Sequence, residues 1–410
     1  MTAAAADALD LNKPPLSRVL AMLDRDGEEA RVVGGAVRNA LMGLPIHEVD
    51  IATTAVPDEV MRRAAAAGFK TVPTGIEHGT ITVIAEGIPF EVTTLREDIE
   101  TYGRKAKVAF GRSWQHDAQR RDFTINALSI SRDGKVHDYA NGLPDIAAGH
   151  VRFVGDAGMR IAEDYLRILR LFRFHAHYGK GEIDSDGLKA SIAGRPGLAN
   201  LSRERVRMEM MKLLAAPRAA ETLKVMAQAG ILKDVLRGPA DVAAVARMKA
   251  AEAAAGLTQD PVRALAALAV STAQDAERLK EQLRLSNAED VRLISMARMS
   301  PQVSAAMKEA LARELLYRIK PQHYVDCVLF AWARAGDGAD VTAWRGLAML
   351  PHRWAAPVFP LKASDFIVRG VPKGPALGKA LAAAEVGWIA KGFPGDAATL
   401  AKIADAAVKL

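Results

Sequence analysis

The stretch RVVGGAVRNALMGLPIHEVD, residues Arg31 to Asp50, carries three local signals in succession. Arg31-Val32-Val33 is short and apolar, Gly34-Gly35 interrupts it, and Ala36 to Met42 reads as a helix. A strand that enters a helix through two glycines lets backbone N–H groups approach a triphosphate, and the helix dipole favours the negative charge. Arg38, one turn into that helix, is in reach of a phosphate. Ten residues further on comes Glu48-Val49-Asp50. On a strand, residues two positions apart share a face, so the two carboxylates stand side by side. Their repulsion is relieved by a cation between them, and Mg²⁺ is the natural choice for oxygen ligands. Such a pair can hold one ion and share a second with substrate phosphates, an arrangement suited to in-line phosphoryl or nucleotidyl transfer.

Outward from this stretch, strand and helix signals keep alternating. Val49 to Ala52 is β-rich, and Thr53/Thr54 before Pro57-Asp58-Glu59 predicts a capped helix start. GTITVIA (Gly79 to Ala85) and PFEVTTL (Pro89 to Leu95) alternate with period two around Glu86-Gly87, which predicts antiparallel neighbours. Phe123 to Ser131 and Lys135 to Tyr139 complete a mixed sheet. After Asn141-Gly142-Leu143-Pro144 the pattern turns helical: Arg160 to Ala176, Ser185 to Ile192, Ser202 to Leu214 with Ser202 as cap, then Ala-rich helices punctuated by proline. The expected fold is an α/β head, a mixed sheet with flanking helices, followed by an all-helical neck, body and tail. The expected boundaries are 1–145 for the head, 146–215 for the neck, 216–350 for the body and 351–410 for the tail.

Composition agrees with this plan and excludes several classes. The 410 residues, half of them hydrophobic and a quarter charged, exclude a disordered chain and suit several domains. Charge interrupts every long apolar run, so no membrane span is expected, and the first residues lack a secretory pattern. One cysteine, Cys327, can form neither an internal disulfide nor a Cys-based zinc site. A cytoplasmic location is the expectation. The net charge is +7, and between Tyr102 and Arg121 six basic residues (Arg104, Lys105, Lys107, Arg112, Arg120, Arg121) face one acid, Asp117. Such a concentration points to a polyanionic partner.

GGAVRNALMGLPIHEVDIATTAVPDEV resembles the head motif of the bacterial tRNA nucleotidyltransferase and poly(A) polymerase family, the class II CCA-adding enzymes. The likeness continues in order through PTGIEHGTITV, FEVTTLRED, RRDFTINALS and EDYLRILRLFRF to LSRERVRMEMMKLL, covering Arg31 to Leu214. The resemblance implies a nucleotidyltransferase that adds C, C and A to the 3′ end of tRNA from CTP and ATP. No nucleic-acid template, no membrane and no obligatory protein partner are involved. Carried over residue by residue, it makes Glu48 and Asp50 the catalytic Mg²⁺ ligands. Gly35, Arg38 and Arg121 fall on nucleotide-contacting positions. Asp164, Arg167, Arg170 and Arg173 fall on the neck helix that reads the base and holds the triphosphate.

The spacing of those four residues has its own logic, because a three-residue recurrence traces an inclined ridge on one helix. A carboxylate at Asp164 accepts from the amino group of cytosine or adenine, and a guanidinium at Arg167 donates to the adjacent ring nitrogen. Uracil and guanine present the opposite polarity and leave both groups unpaired. Glu91 is a candidate third carboxylate near the metal, with a plain surface position as the alternative. Two departures from the family pattern stand out: Glu48 replaces the usual Asp, and Asn39 replaces the Asp after the motif arginine. Arg104 to Lys107 lies where the family has a mobile loop. His116-Asp117 and His137-Asp138 raise a metal-dependent phosphohydrolase, but both pairs fall in the head. GPALGK (Gly374 to Lys379) lacks the residues of a phosphate loop. The alternatives are a poly(A) polymerase or a partial CC- or A-adding relative, and an RNA-binding protein with a decayed transferase head.

Overall fold

A computed structural model describes the backbone of residues 2–102 and 105–409, and the side chains of 5–77, 79–96 and 110–409. Arg104, Lys105 and Lys107, half of the basic cluster read from sequence, therefore lie outside the described side chains. The chain forms two compact units, residues 1–240 with 282–284, and residues 241–281 with 285–410.

The first unit opens with the mixed sheet. Its strands are β1 (Ala30–Val33), β2 (Asp50–Thr53), β3 (Lys70–Gly75), β4 (Thr80–Ala85), β5 (Ile88–Thr94), β8 (Leu128–Ser131) and β9 (Val136–Asp138), in the order β3-β4-β5-β2-β1-β8-β9. Strands β6 (Arg96–Tyr102) and β7 (Lys105–Phe110) form a separate antiparallel pair. Among the described strands only β2 and β5 run parallel, and they set Asp50 directly beside Glu91. The alternation in GTITVIA and PFEVTTL has its expected outcome: Ile81, Val83 and Val92 are fully buried, and Ile88 pairs with Ala85 across the turn.

Two local readings need correction. Thr53 and Thr54 do not cap the helix Pro57–Ala66, whose cap residue is Val56. Their hydroxyls instead bond Glu29, Ala55 and Glu28, tying the end of β2 to the approach to β1. Phe123 to Ala127 is not strand; Thr124–Asn126 is a single tight turn that turns the backbone into β8.

The neck also differs from a single continuous helix. It breaks into Ala157–Glu163 and Leu166–Tyr178, with Asp164 extended between them (φ −155°, ψ 106°). A short carboxylate competes with the helix by bonding nearby backbone, and here Asp164 Oδ1 accepts the Leu166 N–H at 3.1 Å. The ridge of four is thus three arginines on one helix, headed by an acid at its entry. The helix Arg203–Leu214 packs on it. Ser202 occupies the cap position of that second helix, with no side-chain capping bond.

The second unit is helical throughout its named elements. Its longest segment, Glu309–Arg334, is kinked at Lys320, as expected for the residue before Pro321. Trp388, Phe366 and Ile403 anchor a core near its end. Cys327 is buried and unpaired, and burial pushes its thiol up to about 12. Among the described residues no helix is long and apolar enough to cross a membrane.

Candidate active site

The turn between β1 and the helix Gly35–Met42 depends on Gly34 more than on Gly35. Gly34 has φ +69°, donates its N–H to Leu128 O at 3.1 Å, and a Cβ there would lie 3.0 Å from Arg121 Nη1. A side chain would be strained by the backbone and would crowd the arginine. Gly35 lies inside the helix, with Arg38 Nη2 the nearest atom to a hypothetical Cβ, at 3.5 Å.

Arg38 is buried and held by four hydrogen bonds to three residues. Its Nη1 donates to Asn126 Oδ1 at 2.5 Å, its Nη2 to Tyr178 Oη at 2.8 Å, and Nε and Nη2 to Asn39 Oδ1 at 3.1 and 2.9 Å. The guanidinium also lies 4.1 Å from the Tyr178 ring centre, a cation–π geometry. Burial pulls its pKa below the usual arginine value, and a guanidinium keeps its charge in a protein regardless. Asn39 explains its own departure from the acid: its Oδ1 serves Arg38 while its Nδ2 donates to Pro45 O at 2.8 Å. A carboxylate could not make the second bond.

The acids gather at the start of β2. Asp50 begins the strand, Glu48 lies just before it, and Glu91 is the register partner on β5. Burial, Glu91 and Glu48, in that order, raise the Asp50 pKa, and Arg121 opposes them. Three like charges with one opposing arginine are a donor set deficient in positive charge, and their hard oxygens suit Mg²⁺. Among the described residues no three His, Cys, Asp or Glu side chains form a ready-made cage.

Arg121 is oriented by Asp117, which accepts from its Nε and Nη2 at 3.3 and 3.1 Å and also pairs with Arg120. Asp117 is deeply buried; burial raises its pKa, but Arg121 and Arg120 together hold it below the usual range. Asp138 accepts the N–H groups of Ala140, Gly142 and Leu143. Both acids of the sequence's His-Asp pairs are thus committed to holding neighbouring structure.

The neck arginines divide among different partners. Arg170 donates to Asp122 Oδ2 at 2.7 and 2.5 Å, and Arg173 pairs with the buried Glu209 at 2.5 Å. Arg167 bonds Arg160 O at 2.8 Å and Glu163. Asp164 receives Arg205 at 2.5 and 3.2 Å, not Arg167. Asp164, Glu163 and Arg205 line a pocket of about 470 Å³. Sequence reasoning missed Asp122, Asn126, Glu163, Tyr178, Arg205 and Glu209. Five of the six sit inside or beside the quoted motifs RRDFTINALS, EDYLRILRLFRF and LSRERVRMEMMKLL, and their polarity amid apolar neighbours was the available signal. Tyr178 carried none.

Residues 30–152 match the family described as the Poly A polymerase head domain, and residues 182–241 match the probable RNA and SrmB-binding site of polymerase A. The chain is 32% identical over 389 residues to mitochondrial CCA tRNA nucleotidyltransferase 1 of Mus musculus, covering 92% of this chain and 87% of that one. It is 46% identical over 224 residues to the CCA-adding enzyme of Geobacillus thermodenitrificans, covering 53% and 54%. Its fold superposes on the Bacillus stearothermophilus CCA-adding enzyme in complex with CTP with a TM-score of 0.72 at 29% identity, covering 92% and 94%. With the carboxylate strand, the glycine turn and the arginine-bearing neck all in place, the chain belongs to the tRNA nucleotidyltransferase and poly(A) polymerase family.

Proposed function

We propose that this nucleotidyltransferase adds C, C and A to the 3′ end of tRNA, taking nucleotides from CTP and ATP without a nucleic-acid template. The observation that carries the reading is Asp50 set beside Glu91 and Glu48 at the mouth of the Gly34 turn. Glu48 and Asp50, with Glu91 beside them, are the residues to hold Mg²⁺; when bound, the ion activates the attacking hydroxyl and offsets charge on the leaving pyrophosphate. The backbone at Gly34 and Gly35 receives the triphosphate, and Arg38 and Arg121 place positive charge against it. The 3′-hydroxyl of the tRNA attacks the α-phosphate, forming the new phosphodiester bond as the bond to pyrophosphate breaks.

Asp164 and Arg167 remain our choice for reading the base, and their bonding capacity supports it. A carboxylate has about four acceptor sites. Asp164 uses three of them, for Leu166 N–H and the two Arg205 donors, so Oδ2 can still accept from an exocyclic amine. Arg167 spends Nη1 on Arg160 O and Glu163, which leaves Nε and Nη2 to donate to a ring nitrogen. Arg170 and Arg173 then face the phosphates or fix the helix that carries the readers. We place residues 1–145 as the catalytic head, 146–215 as the neck, 216–350 as an RNA-gripping body and 351–410 as the tail. The lone buried Cys327 suits a reducing compartment such as the cytoplasm.

The test is extension of tRNA lacking its 3′ end, with each NTP alone and with CTP plus ATP, sized to one nucleotide. Three added residues in the mixture are expected. A long A ladder would make the protein a poly(A) polymerase, and addition of CC or of A alone would make it a partial enzyme. No extension with Mg²⁺ present would leave an RNA-binding module.

In the same assay, Tyr178→Phe keeps the ring over Arg38 but removes the hydroxyl that accepts from it. A lost bond to a charged group is worth about 1.5 kcal/mol, so KM for CTP should rise about tenfold with a smaller change in kcat. An unchanged KM would mean that Asn126 and Asn39 alone fix Arg38.

A further inference from the structure

The face of the sheet that carries Asp50 and Glu91 extends beyond the two acids. Ala52 shares it, two positions after Asp50, and the register sets Val33 beside Asp50 and Arg31 beside Ala52. Trp114 lies over this stretch, packed on Val33, Ala52 and Leu95. The Arg31 guanidinium stands 4.0 Å from a Trp114 ring centre, a cation–π geometry. Neither residue belongs to the metal, triphosphate or base sites.

Arg31 is a fixed platform. It is buried, its Nη1 donates to Tyr139 Oη at 3.2 Å, and its Nη2 pairs with Glu29 at 2.8 Å. Trp114 is held differently: among the described residues its Nε1 is buried without a partner. An orphaned donor costs stability. The ring and its apolar area, not the N–H, are therefore what suit tryptophan to this position.

Trp114 begins the helix Trp114–Gln119, which leads directly into the site. One turn on, buried Asp117 accepts from Arg121 at 3.3 and 3.1 Å. Arg121 also donates to Asn126 O at 3.3 Å and crowds Gly34. A helix of six residues is marginal alone and takes its place from what it packs on. Ala118 offers it one methyl, against Ala127 and Val154. Ahead of the helix, Arg112 bonds Glu28 and Gly27 O, but that side chain is 60% exposed, and exposed ion pairs hold weakly. The large contact is Trp114. It seats the helix on the residue before Gly34 and on the strand of Asp50.

We infer that Trp114, stacked with Arg31, is a positioning residue for nucleotide addition: it seats the helix whose Asp117 aims Arg121 at the triphosphate. The inference rests on the reading of the chain as a tRNA nucleotidyltransferase and adds a residue to its site.

The test is a double-mutant cycle on equilibrium binding of CTP by the full-length protein, without tRNA. Trp114→Ala should weaken binding about tenfold, the scale of a misplaced bond to a charged group. Arg121→Ala should weaken it at least as much. The double variant should match Arg121→Ala within about twofold, because Trp114 acts through that arginine. Trp114→Phe keeps a ring over Arg31 and should bind CTP within about twofold of the parent. Affinity of Trp114→Ala for tRNA lacking its 3′ end should be that of the parent. Single losses that multiply in the double variant would overturn the inference, as would unchanged CTP binding or an equal loss of CTP and tRNA binding. Should Trp114→Ala fail to fold, Trp114→Val takes its place in the cycle: a smaller loss that vanishes without Arg121 supports the inference, and a loss that persists there overturns it. The predicted coupling in a protein that never extends tRNA would sink the activity and leave the positioning role standing. Normal extension with multiplying losses would do the reverse.

Discussion

Asp50→Asn should reduce nucleotide addition by at least about 10³-fold, the scale on which a group that positions or stabilises developing charge contributes. The same substitution should leave the fold as stable as before, or more so, at neutral pH. Burial, Glu91 and Glu48 raise the Asp50 pKa, so this carboxyl binds its proton more tightly in the folded chain than in the unfolded one. Folding stability then falls as pH rises from the ordinary aspartate range through the raised pKa, and the loss persists at pH 7. Asparagine removes the charge and with it the loss. Thermal unfolding should also separate the two proteins in Mg²⁺: the wild-type midpoint rises on addition of the ion, and the variant's rises less or not at all. A variant that extends tRNA normally would remove Asp50 from the chemistry. One that unfolds well below wild type would make it a structural residue.

This opposition between activity and stability bears on what could be read from sequence. The strand, glycine turn and helix around Gly34 were legible because every signal involved is local: chain stiffness, backbone freedom at glycine and side-chain period. The Glu48 and Asp50 pairing was legible for the same reason, although only Asp50 lies within β2. Glu91 remained ambiguous because its place beside Asp50 depends on the parallel register of β2 and β5, which no local pattern encodes. The neck misled in an instructive way. Arg160 to Ala176 reads as one amphipathic helix, yet a single side-chain bond from Asp164 to the Leu166 N–H coincides with the break and turns that acid toward Arg205. Arg38 was found from its motif, but its partners Asn126 and Tyr178 are 88 and 140 residues away. Distance in sequence hid them.

One of those distant partners, Asn126, is itself held by Asp122, and Asp122→Ala is the substitution expected to harm the fold most. Asp122 Oδ2 accepts twice from Arg170, and Oδ1 accepts from Asn126 Nδ2 at 3.0 Å and from the Phe123 N–H at 2.9 Å. Asn126 in turn accepts from Arg38, so this carboxylate adds a second link between the phosphate-binding helix and the neck helix, beside the direct bond from Arg38 to Tyr178. Removing one partner of a buried ion pair typically costs about 3–5 kcal/mol, and because the Arg170 side chain is 31% exposed the lower end of that range applies here. For a unit of this size that corresponds to a fall of about 10 °C in Tm. Burial raises the Asp122 pKa, but Arg170, Asn126 and the backbone outweigh it and hold the group below the usual aspartate value. Its stabilisation is therefore complete above the unfolded pKa and is lost as pH falls through the folded one. The gap between wild type and Asp122→Ala should accordingly be widest near neutrality and should narrow on acidification below the ordinary aspartate range, as measured by urea unfolding across pH. Asp122→Asn, which retains an acceptor for Asn126 or Phe123 but loses the charge, should fall between the two. If Asp122→Ala unfolded like wild type at pH 7, Arg170 would be adequately paired by Glu209, 3.7 Å from its Nη1, and the link between the two helices would not run through Asp122.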